Sequence, residues 1–366
     1  MLQLILPTIL PSLISDFQIS LYTAGLLVSS FALPYALLQT PFGYLSDRIG
    51  RKRILVIGLF IYSFATLLSG LSQNSLQLGM TQFLAGVGGA SYHPTGISLL
   101  SFVVDRKKIG QAQGFHQSGG AIGSFIAPLL AAYIGAAFSW RYSFIFLSLF
   151  GLITTIIIIF GITDTEFNVD KENNEKNAEI SRFDSGTIKL IISLFCFGFV
   201  QVIAFRGLLA FLTTYTIGKY SIGLESASQL LAILQLVGIF GSPLFGRISD
   251  TLGRKTTLAI LAVSQALLMY SITYASYGIL VILLGAMGLV AFGMLAVTDG
   301  WITSMNARTI MGTLLGVALT ASFFSGAVVN PIIGFFADQY GFDFPFRILA
   351  IIPFFALPIL KFIKEP

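Results

Sequence analysis

Four ionisable residues stand inside long apolar runs of this 366-residue chain: His93, His116, Arg206 and Asp299. A charge at the centre of a bilayer costs roughly 2.5–3.5 kcal/mol on insertion scales, so such groups normally face a bundle interior or a water-filled cavity. Arg206, near the middle of its run, is a permanent cation suited to binding an anionic solute or to answering a neighbour's protonation. Its bland alternative is a structural partner to backbone carbonyls. Histidine takes up protons near neutral pH, which is what a coupling residue needs, and adjacent spans can bring His93 and His116 within reach of one another. Isolated histidines also serve as hydrogen-bonded packing residues. Asp299 lies near the end of its run, on the side that carries Arg254 and Lys255, which points to a rim ion pair or a gating role more than to proton carriage. Gln201, Gln235 and Asn330 offer neutral hydrogen bonds that either line a path or join helices. Arg206, His93, His116, Gln201, Gln235 and Asn330 are thus the candidate substrate and proton pathway.

Enzymatic chemistry finds little support. There is no His-Glu metal spacing, no nucleophile elbow and no phosphate-binding glycine loop followed by Lys-Ser or Lys-Thr. The expectation is a chain that is not an enzyme and needs neither cofactor nor metal. The single cysteine, Cys196, excludes an intramolecular disulfide and any Cys-based zinc or redox pair. No ATPase domain is present, so uphill work would draw on a gradient.

The elements that must hold these residues follow from composition. The chain is 55% hydrophobic and only 10% charged, with a mean hydropathy of +0.86, which points to lipid as its solvent. About 20 apolar residues cross the roughly 30 Å hydrocarbon core as a helix, and such stretches recur. Continuous uncharged runs, unlike the alternating segments of a membrane barrel, predict an all-α bundle. Reading between polar punctuation gives spans near 24–44, 54–72, 76–100, 111–134, 141–162, 188–216, 227–247, 256–275, 278–304, 309–336 and 344–363. The apolar segment from Met1 to Ile14, with Pro7 and Pro11, reads as the second half of a truncated first span, making twelve. It has no basic start of the kind a signal peptide needs.

The net charge of +5 sits in short clusters between runs, where it orients the chain rather than binding nucleic acid. Arg48, Arg51, Lys52 and Arg53, then Arg106, Lys107 and Lys108, then Arg247, Arg254 and Lys255 fall in loops separated by an even number of spans. The positive-inside rule puts those loops in the cytoplasm, and both termini with them, in a plasma (inner) membrane. The polar stretch 163–187 divides six spans from six, so the expected organisation is a bundle at 1–165, a linker at 166–187 and a second bundle at 188–366.

The halves are copies. Phe42 to Arg53 reads FGYLSDRIGRKR and Phe245 to Lys255 reads FGRISDTLGRK, each between spans two and three of its own half. Gly110, Gly114 and Pro128 recur as Gly312, Gly316 and Pro331, and Arg141 opening span six has a counterpart in Arg347 opening span twelve. Gly43, Leu45, Ser46, Asp47, Arg48, Gly50, Arg51 and Lys52 resemble the signature loop of the major facilitator superfamily. The resemblance implies two pseudo-symmetric six-helix bundles facing each other across a central cavity, with the solute near the bilayer midplane and alternating access between them. Glycines let two spans turn tightly, while Asp47 and the arginines form a charged latch. Asp47, Arg48, Arg51, Asp250, Arg254 and Asp299 are the candidate gate. The alternative is that these charges fix topology alone.

Span five keeps Gly114, Gly123, Ala127, Pro128, Ala131 and Ala132 at spacings that resemble the superfamily's antiporter motif, with three glycines replaced by alanine. Gly114, Gly123 and Pro128 are candidate hinge and packing positions. In span four Gln82 stands where the superfamily carries an arginine. Tyr92-His93-Pro94, Phe115-His116-Gln117-Ser118-Gly119-Gly120 and Ala127-Pro128-Leu129-Leu130-Ala131-Ala132 resemble the fosmidomycin-resistance branch of drug exporters. The implied function is a secondary transporter, coupled to protons, that acts as a monomer in the lipid bilayer and moves a small organic solute, with export favoured. A metabolite importer or facilitator, or a transport-dead receptor with the same fold, are the alternatives.

Overall fold

In the computed structural model, residues 2–104, 108–162, 185–304 and 311–362 are described, and they are helical throughout apart from short turns. The expected linker at 166–187 lies almost wholly outside them, as do Arg106, Lys107 and the side chain of Asp47. A short 3-10 turn at Leu2–Leu4 leads into α1 (Ile5–Phe17), followed by α2 (Leu21–Ile49), α3 (Arg51–Gly70), α4 (Ser75–Gly89), α5 (Tyr92–Val103), α6 (Ile109–Ala137) and α7 (Trp140–Gly161). Beyond residue 184 come α8 (Ser185–Tyr220), α9 (Leu224–Leu252), α10 (Arg254–Ile272), α11 (Tyr277–Ser304), α12 (Met311–Tyr340), α13 (Asp343–Ile351) and α14 (Ala356–Phe362), the last two joined by a 3-10 turn.

Ten of the described helices, or helix groups, are long and apolar enough to cross a membrane, and a shorter apolar helix covers Leu2–Phe17. The run expected to cross at 76–100 as one helix is instead broken between α4 and α5. Its cause is local: Gly86, Gly88 and Gly89 weaken the end of α4, and Pro94 brings no N–H to the first turn of α5. The break is held by Ser91 Oγ donating to Gly88 O at 2.8 Å and by Thr95 Oγ1 donating to Ser91 O at 2.5 Å. Both carbonyls also keep a backbone donor, Ser91 N on Gly88 O at 3.3 Å and Thr95 N on Ser91 O at 3.2 Å, so the hydroxyls add second bonds at the break.

Both copies of the repeated loop turn on a glycine with positive φ: Gly50 at 115° between α2 and α3, and Gly253 at 83° between α9 and α10. Only glycine takes that backbone without strain, so the turn geometry is written into each copy. The two turns lie at one rim, rich in arginine and lysine. At the opposite rim the end of α1 meets the start of α7, and the end of α6 meets the start of α9, where Gly135 approaches Leu224.

The two halves clasp their ends in related ways at this opposite rim. Arg141 pairs with Asp16 at 2.9 Å and donates to Ser72 O at 3.2 Å, while Trp140 Nε1 donates to the same carboxylate. In the second half Lys219 pairs with Asp343 at 3.0 Å and also donates to Tyr215 Oη and Thr273 O, and Arg347 Nε donates to Thr273 Oγ1. The first clasp has acid on the earlier span and base on the later; the second has the reverse.

Candidate functional site between the halves

Two seams join the halves. One pairs α2 with α12, the other α6 with α9, and exchanging the halves carries one seam onto the other. Along the first seam contact begins at the rim opposite the arginines. Asp338 of α12 accepts from Leu21 N at 2.8 Å and Tyr22 N at 2.9 Å, the first two amides of α2. The third, Thr23 N, bonds its N-cap Ser20 Oγ, so every early donor of this helix except the intrahelical ones has an acceptor. Below them the α2 and α12 backbones touch where Gly25 meets Asn330 and Gly334 meets Leu21, contacts that any side chain would block. Thr213 Oγ1 of α8 donates to Pro7 O of α1 at 2.6 Å, a third tie across the halves.

Toward the arginine-rich rim the same helices part. A methyl group added at Gly114, Gly119 or Gly120 of α6, at Gly246 of α9 or at Gly316 of α12 would meet nothing within 4 Å. Phe115 is 72% exposed, and Gln117 through Gly120 are exposed as well. Among the described residues the seam is therefore closed at the Asp338 rim and open at the arginine-rich rim.

Where the seam passes from closed to open, an aromatic cluster spans both halves. Phe323 of α12 lies 4.3 Å from Tyr35 of α2, ring centre to ring centre, and Tyr35 continues to Phe31 at 5.3 Å, which meets Tyr62 of α3 at 5.7 Å. The Arg206 guanidinium of α8 sits 4.0 Å above the Phe323 ring, and a terminal nitrogen donates to Ser322 Oγ at 2.9 Å. Its Nε is shielded from solvent and meets no acceptor. Arg206 is thirteen residues before Lys219 at the closed rim, about 20 Å of helix, deep in the span. On the other side of Tyr35, the His93 ring approaches edge-on at 6.3 Å. Tyr92 links the histidines, edge-on to His93 at 5.5 Å and stacked on His116 at 5.7 Å.

Arg206, His93 and His116 thus belong to one continuous chain of rings and cations running from α12 through α2 and α5 to α6. The other expected pathway residues lie apart from it. Gln201 is buried within the second half and exchanges hydrogen bonds with Thr298 at 3.3 Å, so it joins α8 to α11. Gln235 and Asn330 are buried with their side-chain oxygens unpartnered, Asn330 in the closed part of the α2–α12 seam. Tyr35, Phe323 and Ser322 were not distinguishable among 34 Phe and 13 Tyr. Gln39 was also missed. It lies one turn beyond Tyr35 on the same face of α2, and its buried amide nitrogen lacks an acceptor.

At the open rim Arg48 is exposed with its guanidinium 4.3 Å over Tyr44, and Asp250 is exposed. Arg51 begins α3, and Arg254 lies across Gly300, its guanidinium 3.3 Å from where a Cβ would stand. Asp299, beside that glycine, is exposed. Gln82 is buried and donates to Ser69 Oγ at 2.9 Å, a neutral tie between α4 and α3. In span five Gly114 is exposed, Gly123 is partly exposed and Pro128 is buried within the continuous α6.

The model of the Major Facilitator Superfamily matches residues 1–329 and 239–366. The chain belongs to the major facilitator superfamily. It is a multi-pass membrane transporter of that type, with the fold of two related bundles. Among similar curated proteins, Multidrug resistance protein 2 of Bacillus subtilis is 26% identical over 340 residues, covering 88% of this chain and 84% of its own. The cis,cis-muconate transport protein of Acinetobacter baylyi is 26% identical over 376 residues, covering 97% and 89%. The fosmidomycin resistance protein of Escherichia coli is 24% identical over 361 residues, covering 96% and 87%. A bacterial homolog of the human lysosomal transporter Spinster, solved in an inward-facing and occupied conformation, shares the major facilitator fold with a TM-score of 0.78 at 15% identity, covering 99% of this chain and 93% of that one.

Proposed function

We propose that this major facilitator is a proton-coupled secondary transporter that exports a small organic solute by alternating access, with the bundles 1–165 and 188–366 moving about a site at Arg206, His93 and His116. The single observation that carries this reading is the ring and cation chain. It crosses from one half to the other at the level where the α2–α12 seam changes from closed to open. A site there touches both moving parts, so occupancy can bias their relative position. The histidines place two imidazoles, the side-chain type most used to carry protons, beside that site. The arginine-rich rim is the cytoplasmic one by the positive-inside rule, which makes this the inward-open state and leaves Arg48 and Asp250 exposed as an undone latch.

Export is favoured by the likeness to proteins named for multidrug and fosmidomycin resistance. Import is the second reading, favoured by the relative named as a cis,cis-muconate transport protein. Proteoliposomes with internal and external pH set independently separate them. An exporter exchanging protons concentrates solute against an opposing proton gradient. A symporter accumulates it along the gradient, and flux insensitive to the gradient in both directions refutes coupling.

A further inference from the structure

We infer that the solute is a small monovalent organic anion with a flat, unsaturated body, held with its charge on Arg206 and its plane against the Phe323–Tyr35 aromatic wall. The inference rests on the reading of this seam as the solute site.

The charge comes first. Among the described residues, Arg206 is the one Lys or Arg more than two turns from both ends of its helix. Its hydrogen-bond partner is the neutral Ser322, and its Nε lies shielded with no acceptor. A guanidinium carries five N–H donors in a planar fork shaped to carboxylate oxygens, so the arrangement leaves donors and a full positive charge unanswered. The ring of Phe323 beneath it offsets only part of that charge. An arriving monoanion supplies the missing acceptors and makes the loaded site neutral. A neutral solute leaves the cation as it is, and a cationic one adds to it. A dianion leaves one negative charge in the span.

The shape comes from the wall. Phe323, Tyr35, Phe31 and Tyr62 form a run of ring contacts with centroid distances of 4.3, 5.3 and 5.7 Å, the first three buried against one another in this state, so a solute meets them as the halves part. Rings prefer offset or edge contact with other π systems, so a planar conjugated body gains contact that a puckered one of equal size does not. Because the wall draws rings from both halves, a flat solute lying on it also bridges them.

The full chain, purified in detergent and in proteoliposomes, tests this with five probes: benzoate, cyclohexanecarboxylate, benzamide, benzylamine and phthalate. Benzoate is expected to raise the melting temperature and to exchange across vesicles, cyclohexanecarboxylate to do so at least fivefold more weakly, and the other three to do neither. Arg206→Gln should weaken benzoate at least tenfold, with Arg206→Lys falling between. Should Arg206→Gln not assemble, Phe323→Leu gives an independent reading: it should narrow the gap between benzoate and cyclohexanecarboxylate. Benzamide, benzylamine or phthalate matching benzoate, an unchanged benzoate response in Arg206→Gln, or no benzoate effect at millimolar concentration each overturns the inference. Exchange of benzamide with benzoate inert refutes the anion class while leaving a transporter. Benzoate binding without exchange upholds the class and refutes transport.

Discussion

Replacing Asp338 by Asn removes the charge that α12 places on the start of α2 and leaves the backbone around it intact. Both carboxylate oxygens are used, on Leu21 N at 2.8 Å and Tyr22 N at 2.9 Å. An Asn oxygen can keep one bond and must surrender the other, and it loses attraction to the positive end of the helix. A charge-assisted bond is worth about 1.5–3 kcal/mol net and a neutral one about 0.5–1.5, with up to about 1 more from the dipole. Asp338 is exposed, so water screens much of this, and about 1 kcal/mol remains. These bonds cross between halves and exist only while this rim is closed, so the whole of that difference falls on the open–closed balance, about a fivefold change in its equilibrium constant. Spin labels at Gln73 and Ser276, exposed loop positions of the two halves at this rim, report its width in a Cys196→Ser background. Asp338→Asn should raise the ratio of wide to narrow distances about fivefold. A ratio unchanged within a factor of two, or shifted toward narrow, would show that the carboxylate does not hold the rim.

Gly334→Val puts a branched side chain against the Leu21 backbone and should widen the same rim more than Asp338→Asn does, read by the same pair of labels. The double variant His93→Gln, His116→Gln should flatten the pH dependence of solute exchange while leaving the melting temperature within a few degrees. A pH profile that keeps its wild-type shape removes both rings from coupling. Lys219→Ala abandons Asp343, Tyr215 Oη and Thr273 O together and should lower the melting temperature by several degrees. Arg141→Ala, whose pair with Asp16 is 36% and 47% exposed, should cost less than 1 kcal/mol from that pair itself.

Most of the spans and the duplicated loop were legible because lipid imposes length and apolarity on every crossing, and Gly50 and Gly253 then fix the same turn in both halves. The break before His93 was not, since Gly88, Ala90 and Ser91 keep a hydropathy window apolar whether or not the helix continues. Arg206, His93 and His116 stood out because ionisable groups are rare at depth. The side chains that join them did not, since Tyr35 and Phe323 look like any lipid-facing aromatic until α2 and α12 are set side by side. Gln201 was expected on the path for its polarity alone, and which way it faces depends on Thr298, 97 residues away. Asp338 carried no signal in the sequence, because its partners lie 316 and 317 residues earlier in the chain.

The reversed polarity of the two end clasps bears on how a chain made of near-duplicates assembles. Were α8 to seek α7, Lys219 would confront Arg141. That mistaken match sets like against like, so the charges discourage one shuffling of the twins during insertion.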